Sequence, residues 1–114
     1  MRSHTDEKCK SVNLAIQDTL YVVNGKWKLV ILSILVNNGT RRFGELAREA
    51  GISPRILSKE LHELEMNQLV NRTVCDTKPV TVEYASTPYA DTLKEVLDAM
   101  IRWGENHRKK ITGK

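Results

Sequence analysis

Apolar positions follow a helical period in the first half of the chain, alternate as in strands past the middle, and return to a helical period at the end. Val12, Ile16, Leu20 and Val23 recur every three or four residues and predict a first helix of roughly three turns, ended by Asn24-Gly25. Lys26 to Val36 is apolar nearly all round (Trp27, Leu29, Val30, Ile31, Leu32, Ile34, Leu35, Val36), which predicts a central helix buried on several sides and closed by Asn37-Asn38-Gly39. Thr40 to Phe43 reads as a short extended piece before a small helix, Gly44 to Ala50, whose apolar face is Leu46, Ala47 and Ala50. Gly51 is a turn residue suited to a left-handed backbone. In the next helix Leu57, Leu61 and Leu64 fall at i, i+4 and i+7 and face the core, which leaves Arg55, Ser58, Lys59 and His62 outside. Its start is explicit, because Ser53 can cap it, Pro54 suits a first position that needs no N–H, and Arg55 follows in the first turn.

Leu69 to Cys75 and Val80 to Ala85 are β-rich runs about Asp76-Thr77-Lys78-Pro79, a hairpin. With all four of those residues in the loop, Arg72 stands opposite Glu83, and Cys75 shares a face with Val80, Val82 and Tyr84. Thr87-Pro88 then begins a long final helix, where Leu93, Val96, Leu97, Met100, Ile101 and Trp103 cover more than one narrow stripe. Such width asks for a second apolar surface. Together with Ile16 and Leu20 on the first helix it predicts a dimer interface that includes Val96, Met100 and Trp103. The fold expected is α+β, mostly α: a winged helix-turn-helix with additional N- and C-terminal dimerisation helices. Residues 1–10 read as a flexible N-terminal tail and residues 11–111 as a single domain.

Helix, turn, helix and hairpin in that order most often hold the second helix in the major groove of DNA. The DNA-facing candidates are Ser53, Pro54, Arg55, Ser58, Lys59 and His62 on that helix, Lys78 at the hairpin tip, and Arg41 and Arg42 at the entry to the small helix. Arg42 could equally pair with a nearby glutamate. Glu60, Glu63 and Glu65 would repel phosphates, so only the first half of the helix is expected to lie deep in the groove. The alternative is a winged helix used to bind protein.

Composition changes this picture little. The chain has 114 residues, 40% hydrophobic and 28% charged, with a formal net charge of +4, which fits one ordinary globular domain and a polyanionic partner without requiring one. The apolar run Leu29 to Val36 is too short to span a bilayer, and the first eight residues lack the apolar segment of a secretion signal, so a cytoplasmic protein with no membrane contact is expected. His4, His62 and His107 are scattered, neither Cys9 nor Cys75 lies in a C-x-x-C motif, and no glycine-rich phosphate loop is present. No catalytic residue, metal site or cofactor is therefore expected. Cys9 sits before the first helix, where Lys8, Lys10 and a helix N-terminus favour a thiolate while Asp6 and Glu7 oppose it; it reads either as an oxidant sensor or as an incidental surface thiol. Arg108-Lys109-Lys110 complement a helix C-terminus.

Taken together, the chain resembles HxlR-type transcriptional regulators, a winged helix group related to the MarR proteins. The resemblance is carried by Gly25-Lys26-Trp27 and the apolar run to Leu35, Arg42-Phe43-Gly44-Glu45-Leu46, Gly51-Ile52-Ser53, Leu57, Leu61, Leu64-Glu65, Leu69-Val70, Arg72, Pro79, Val82-Glu83-Tyr84, Thr87-Pro88 and Trp103. It implies a homodimer joined through the first and last helices and two recognition helices on a pseudo-palindromic double-stranded operator. It also implies that Cys9 stands where some members sense electrophiles or oxidants, so a small-molecule or oxidant effector enters the expectation. The sequence departs from the group at Gln68 and Ala90, where glycine is common. Asn67 is expected to supply the left-handed helix end in place of Gln68.

Overall fold

A computed structural model describes residues 6–113 of the chain. The elements run α1 (Asp6–Val23), α2 (Lys28–Asn38), β1 (Arg41–Arg42), α3 (Phe43–Ala50), α4 (Pro54–Met66), β2 (Val70–Cys75), β3 (Thr81–Ser86), α5 (Pro88–Asp91) and α6 (Lys94–Thr112). The three strands form one antiparallel sheet in the order β1-β3-β2. Helices dominate, and the strands and the α3–α4 pair make a winged helix-turn-helix, as the periodicity predicts.

The core is the meeting of three helices and the sheet. Ile31, Leu32 and Leu35 of α2, Leu46 of α3, Leu57, Leu61 and Leu64 of α4, Leu69 just before β2 and Val70 at its start are all buried. The all-round apolar sequence of α2 follows from its place at the centre, between α3, α4, α6 and the sheet. Phe43 and Tyr84 close the wing side with ring centroids 6.3 Å apart.

Local chemistry sets the element ends. Gly51 takes the left-handed conformation between α3 and α4 (φ 70°, ψ 36°), and the Ser53 side chain accepts from the Ile56 N–H at 3.2 Å with Pro54 following. Both match the sequence reading. The end of α4 does not: Asn67 has φ −90° and Gln68 itself is left-handed at φ 63°. Gln68 N–H donates to the Glu65 carbonyl and Leu69 N–H to the Leu64 carbonyl, both at 3.0 Å, the paired bonds of a glycine-type helix end built on a glutamine. The buried Leu69 demands that geometry, so tertiary packing overrides the preference of Asn67 for the position.

Three further expectations are corrected. The tail expected over residues 1–10 gives way to helix from Asp6; residues 1–5 lie outside the described residues. Asp6 and Glu7 suit a helix N-terminus, and an exposed polar turn leaves no apolar mark in the sequence. The single last helix is two, because Thr87 caps the four-residue α5 by accepting from Ala90 N–H at 3.0 Å, and a turn at Thr92-Leu93 precedes α6. The hairpin is shifted by one residue: Val80 joins the loop, Cys75 pairs with Thr81, Arg72 faces Tyr84, and Glu83 stands between Thr73 and Arg42. That single slip moves Cys75 to the opposite face from Val82 and Tyr84.

Candidate nucleic-acid interface

The outer face of α4 is built by exclusion. Leu57, Leu61 and Leu64 turn one side of the helix into the core, and helical spacing puts Arg55, Ser58, Lys59 and His62 on the other, where all four are exposed. Ser53 and Pro54 stand exposed at the N-terminal end of that face.

The carboxylates of α4 expected to weaken this face are largely turned away from it. Lys28, the first residue of α2, is buried, and its Nζ donates to Glu60 Oε1 at 2.7 Å, Glu63 Oε1 at 2.6 Å and Asn24 Oδ1 at 3.3 Å. Burial alone would pull the Lys28 pKa down, but hydrogen bonds and charge from Glu60 and Glu63 outweigh it and the value is raised. The Lys28 hydrogen bond and charge hold the Glu63 carboxyl below the ordinary carboxylate range. Glu65 is exposed on the helix, and the Glu63 side chain is 39% exposed beside its bond to Lys28. Sequence periodicity missed Lys28 because a lysine flanking an apolar run reads as a helix end; its signal was a carboxylate pair at i, i+3 bordering the core stripe of α4.

Arg41 and Arg42 divide. The Arg41 guanidinium is held at the surface by an ion pair with Glu49 and by donation to the carbonyls of Asn38 and Thr40 at 3.0 and 2.9 Å. Three of the five N–H donors of the Arg41 guanidinium are therefore engaged within the protein. Arg42 is exposed; its backbone N–H donates to Glu45 at 2.8 Å, while its side chain has no ion pair among the described residues. Beside it stands Arg48, which the sequence reading passed over. A cleft of about 370 Å³ between α3 and β3 is bordered by Arg42, Gly44 and Arg48, and the Arg48 guanidinium lies over Gly44, 3.5 Å from where a side chain would begin. Lys78 lies exposed in the wing loop, which is braced by Thr77 Oγ1 donating to the Pro79 carbonyl at 2.8 Å.

The two long helices present a different surface. Ile16 and Leu20 on α1 and Val96, Met100 and Trp103 on α6 are all exposed, with Trp103 stacked on His107 at 4.9 Å between ring centroids. Cys9 lies within the first turns of α1 rather than ahead of it, and helical spacing sets it on the same stripe as Val12, Ile16 and Leu20. Among the described residues no group of histidine, cysteine or acidic side chains could hold a metal ion, and no single helix is long and apolar enough to cross a membrane.

Residues 22–112 match the model of the HxlR-like helix-turn-helix family. The HTH-type transcriptional regulator YtcD of Bacillus subtilis is 38% identical over 105 residues, covering 91% of this chain and 82% of that protein. Among solved structures, the redox regulator HypR in its reduced form is similar with a TM-score of 0.79 and 34% identity, over 88% of this chain and 99% of that one. The reduced form of the transcriptional regulator YodB from B. subtilis gives a TM-score of 0.69 at 29% identity, over 80% and 89% of the two chains.

Proposed function

The chain belongs to the HxlR-like helix-turn-helix family of transcriptional regulators, and from that premise we propose that it binds a specific pseudo-palindromic DNA operator as a homodimer, in the cytoplasm and without catalysing a reaction. The observation that carries this reading is the outer face of α4, where Arg55, Ser58, Lys59 and His62 stand exposed while Glu60 and Glu63 are drawn back to Lys28. Arg55 in the first turn reads a base edge and Lys59 one turn on contacts phosphate. Ser53 and Pro54 approach the backbone with them, and Arg42 and Lys78 hold phosphates on either side. Ile16, Leu20, Val96, Met100 and Trp103 are then the dimer interface, which gives their exposed apolar surface a partner.

Selection of bound sequences from random duplex DNA tests the reading. Enrichment of an inverted repeat is expected, with affinity falling steeply as salt rises, because Arg42, Lys78 and Lys59 of two subunits displace condensed counterions. Recovery of no consensus, with any binding insensitive to salt, favours a winged helix that binds protein instead.

Cys9 adds regulation to the same reading. HypR is a redox regulator, and here the thiol shares the α1 stripe with Ile16 and Leu20, so chemical change at Cys9 acts on the proposed subunit contact and through it on the spacing of the two reading helices. Diamide treatment should change operator affinity in the wild type and in Cys75→Ser, and leave Cys9→Ser unchanged. Equal responses in all three would make Cys9 a passive surface thiol.

A further inference from the structure

The buried charge cluster at the foot of α4 is the feature of this molecule that folding explains least. A lysine has three N–H donors, and those of Lys28 meet three acceptors: Asn24 in the bend between α1 and α2, and Glu60 and Glu63 on α4. Lys28 is 3% exposed and Glu60 8%. Removing Lys28 and Glu60 from water is costly, and apolar side chains of similar size would commonly give equal or greater stability at such a place, while the Glu63 side chain stays partly exposed. What an apolar contact would not give is direction. Leu57, Leu61 and Leu64 fill the core beneath α4, but aliphatic packing of this kind tolerates repacking with small rotations and shifts. Two charged hydrogen bonds below 3 Å from one ammonium to residues three apart on the helix fix its rotation.

We propose that Lys28 is a positioning residue of the DNA-reading helix: by clasping Glu60 and Glu63 it sets the rotation of α4, and by holding Asn24 it ties that rotation to the bend that carries α1. The inference rests on the DNA-binding reading above. Helical spacing sets Glu63 only one residue round from His62 and four on from Lys59, so a rotation that frees Glu63 turns Arg55 and Lys59 off the groove and brings a carboxylate toward phosphate. The clasp thus keeps Glu60 buried and the partly exposed Glu63 paired to Lys28 while the cations face outward.

The test uses the full chain with three substitutions together, Lys28→Met, Glu60→Met and Glu63→Gln, which remove the clasp without stranding a buried charge. Affinity is measured for the selected operator and for operators carrying single base changes, beside thermal unfolding. The expected result is a variant that unfolds cooperatively yet loses about tenfold in the ratio of matched to mismatched affinity, the scale of one displaced base contact. Its binding to random-sequence DNA should be undiminished, because the substitutions raise the positive net charge. A ratio within twofold of the wild type overturns the proposal and leaves the cluster a folding element. Glu63→Gln alone keeps the Lys28–Glu60 pair and should show a smaller loss of ratio; if the triple variant does not fold, an unchanged ratio in Glu63→Gln overturns the proposal by itself. A wild-type chain that does not discriminate between operators would refute the DNA reading itself, and the proposal with it.

Discussion

Arg55 and Lys59 stand one helical turn apart on the exposed side of α4 and differ in what a duplex can offer them. A guanidinium can make two parallel bonds to a guanine edge, worth about 1–3 kcal/mol of discrimination, whereas an ammonium on a flexible stem acts mainly as a charge against phosphate. Arg55→Ala should therefore weaken the matched operator more than a mismatched one, and Lys59→Ala should weaken both alike; equal losses in Arg55→Ala would remove it from base reading. Gln68 makes a second prediction at this scale. Its left-handed backbone at φ 63° is one that a side chain resists by about 1 kcal/mol and glycine does not. Gln68→Gly should raise stability in chemical denaturation by about that amount, less the entropy glycine adds to the unfolded chain. A lower midpoint would mean that the Gln68 side chain makes a contact worth more than the backbone strain.

At the scale of elements, the α2–α4 joint should show in acid. Glu63 has a lowered pKa, so its contribution to stability is complete above the ordinary value of 4.5 and is lost as pH falls through the lower folded value. Lys28 has a raised pKa, so its contribution is complete below 10.5 and is lost as pH rises through the higher folded value. Glu63→Gln should flatten part of the acid limb of a plot of Tm against pH, and an acid limb of unchanged steepness would contradict this. The joint was the part of the molecule hardest to see in the sequence. Periodicity marks apolar faces, so α2, α3 and α4 were legible through Leu32, Leu46 and Leu57, and caps such as Ser53 and Thr87 marked helix starts. Exposed structure carries no such mark, which is why the first turn of α1 at Asp6 was read as tail. Polar pairings between elements carry none either: Lys28 with Glu60, and Arg41 with Glu49, join residues whose chemistry alone names many partners. The hairpin register turned on whether Val80 belonged to the loop, and a β-branched residue argued for the strand. The outer face of α4 is legible residue by residue; Arg48 is not, because its place over Gly44 depends on the α3 fold.

The whole molecule is long for its length of chain, with extents of 62 × 39 × 23 Å and a radius of gyration of 17.0 Å, where a compact chain of this size has about 13 Å. The excess lies in α1 and the second half of α6, whose residues from Met100 onward are exposed, as α1 is before Val22. Two subunits joined there would carry their α4 helices about 34 Å apart, one turn of duplex, or a multiple of it. Footprints should then show two half-sites on one face of the DNA. Met100→Glu, which sets an unpaired charge in the proposed contact, should sediment as a monomer and lose the second half-site; a dimeric Met100→Glu with the full footprint would place the interface elsewhere. The isolation of α1 bears also on how long a subunit survives. A helix of 18 residues anchored on the body chiefly through Val22 and Val23 is marginal by itself in water and opens often. Proteases cut what opens, so a lone subunit should be clipped within α1 and a paired one spared. Pairing would then govern the half-life of the regulator as well as its grip on DNA, making its abundance rise more than in proportion to its synthesis.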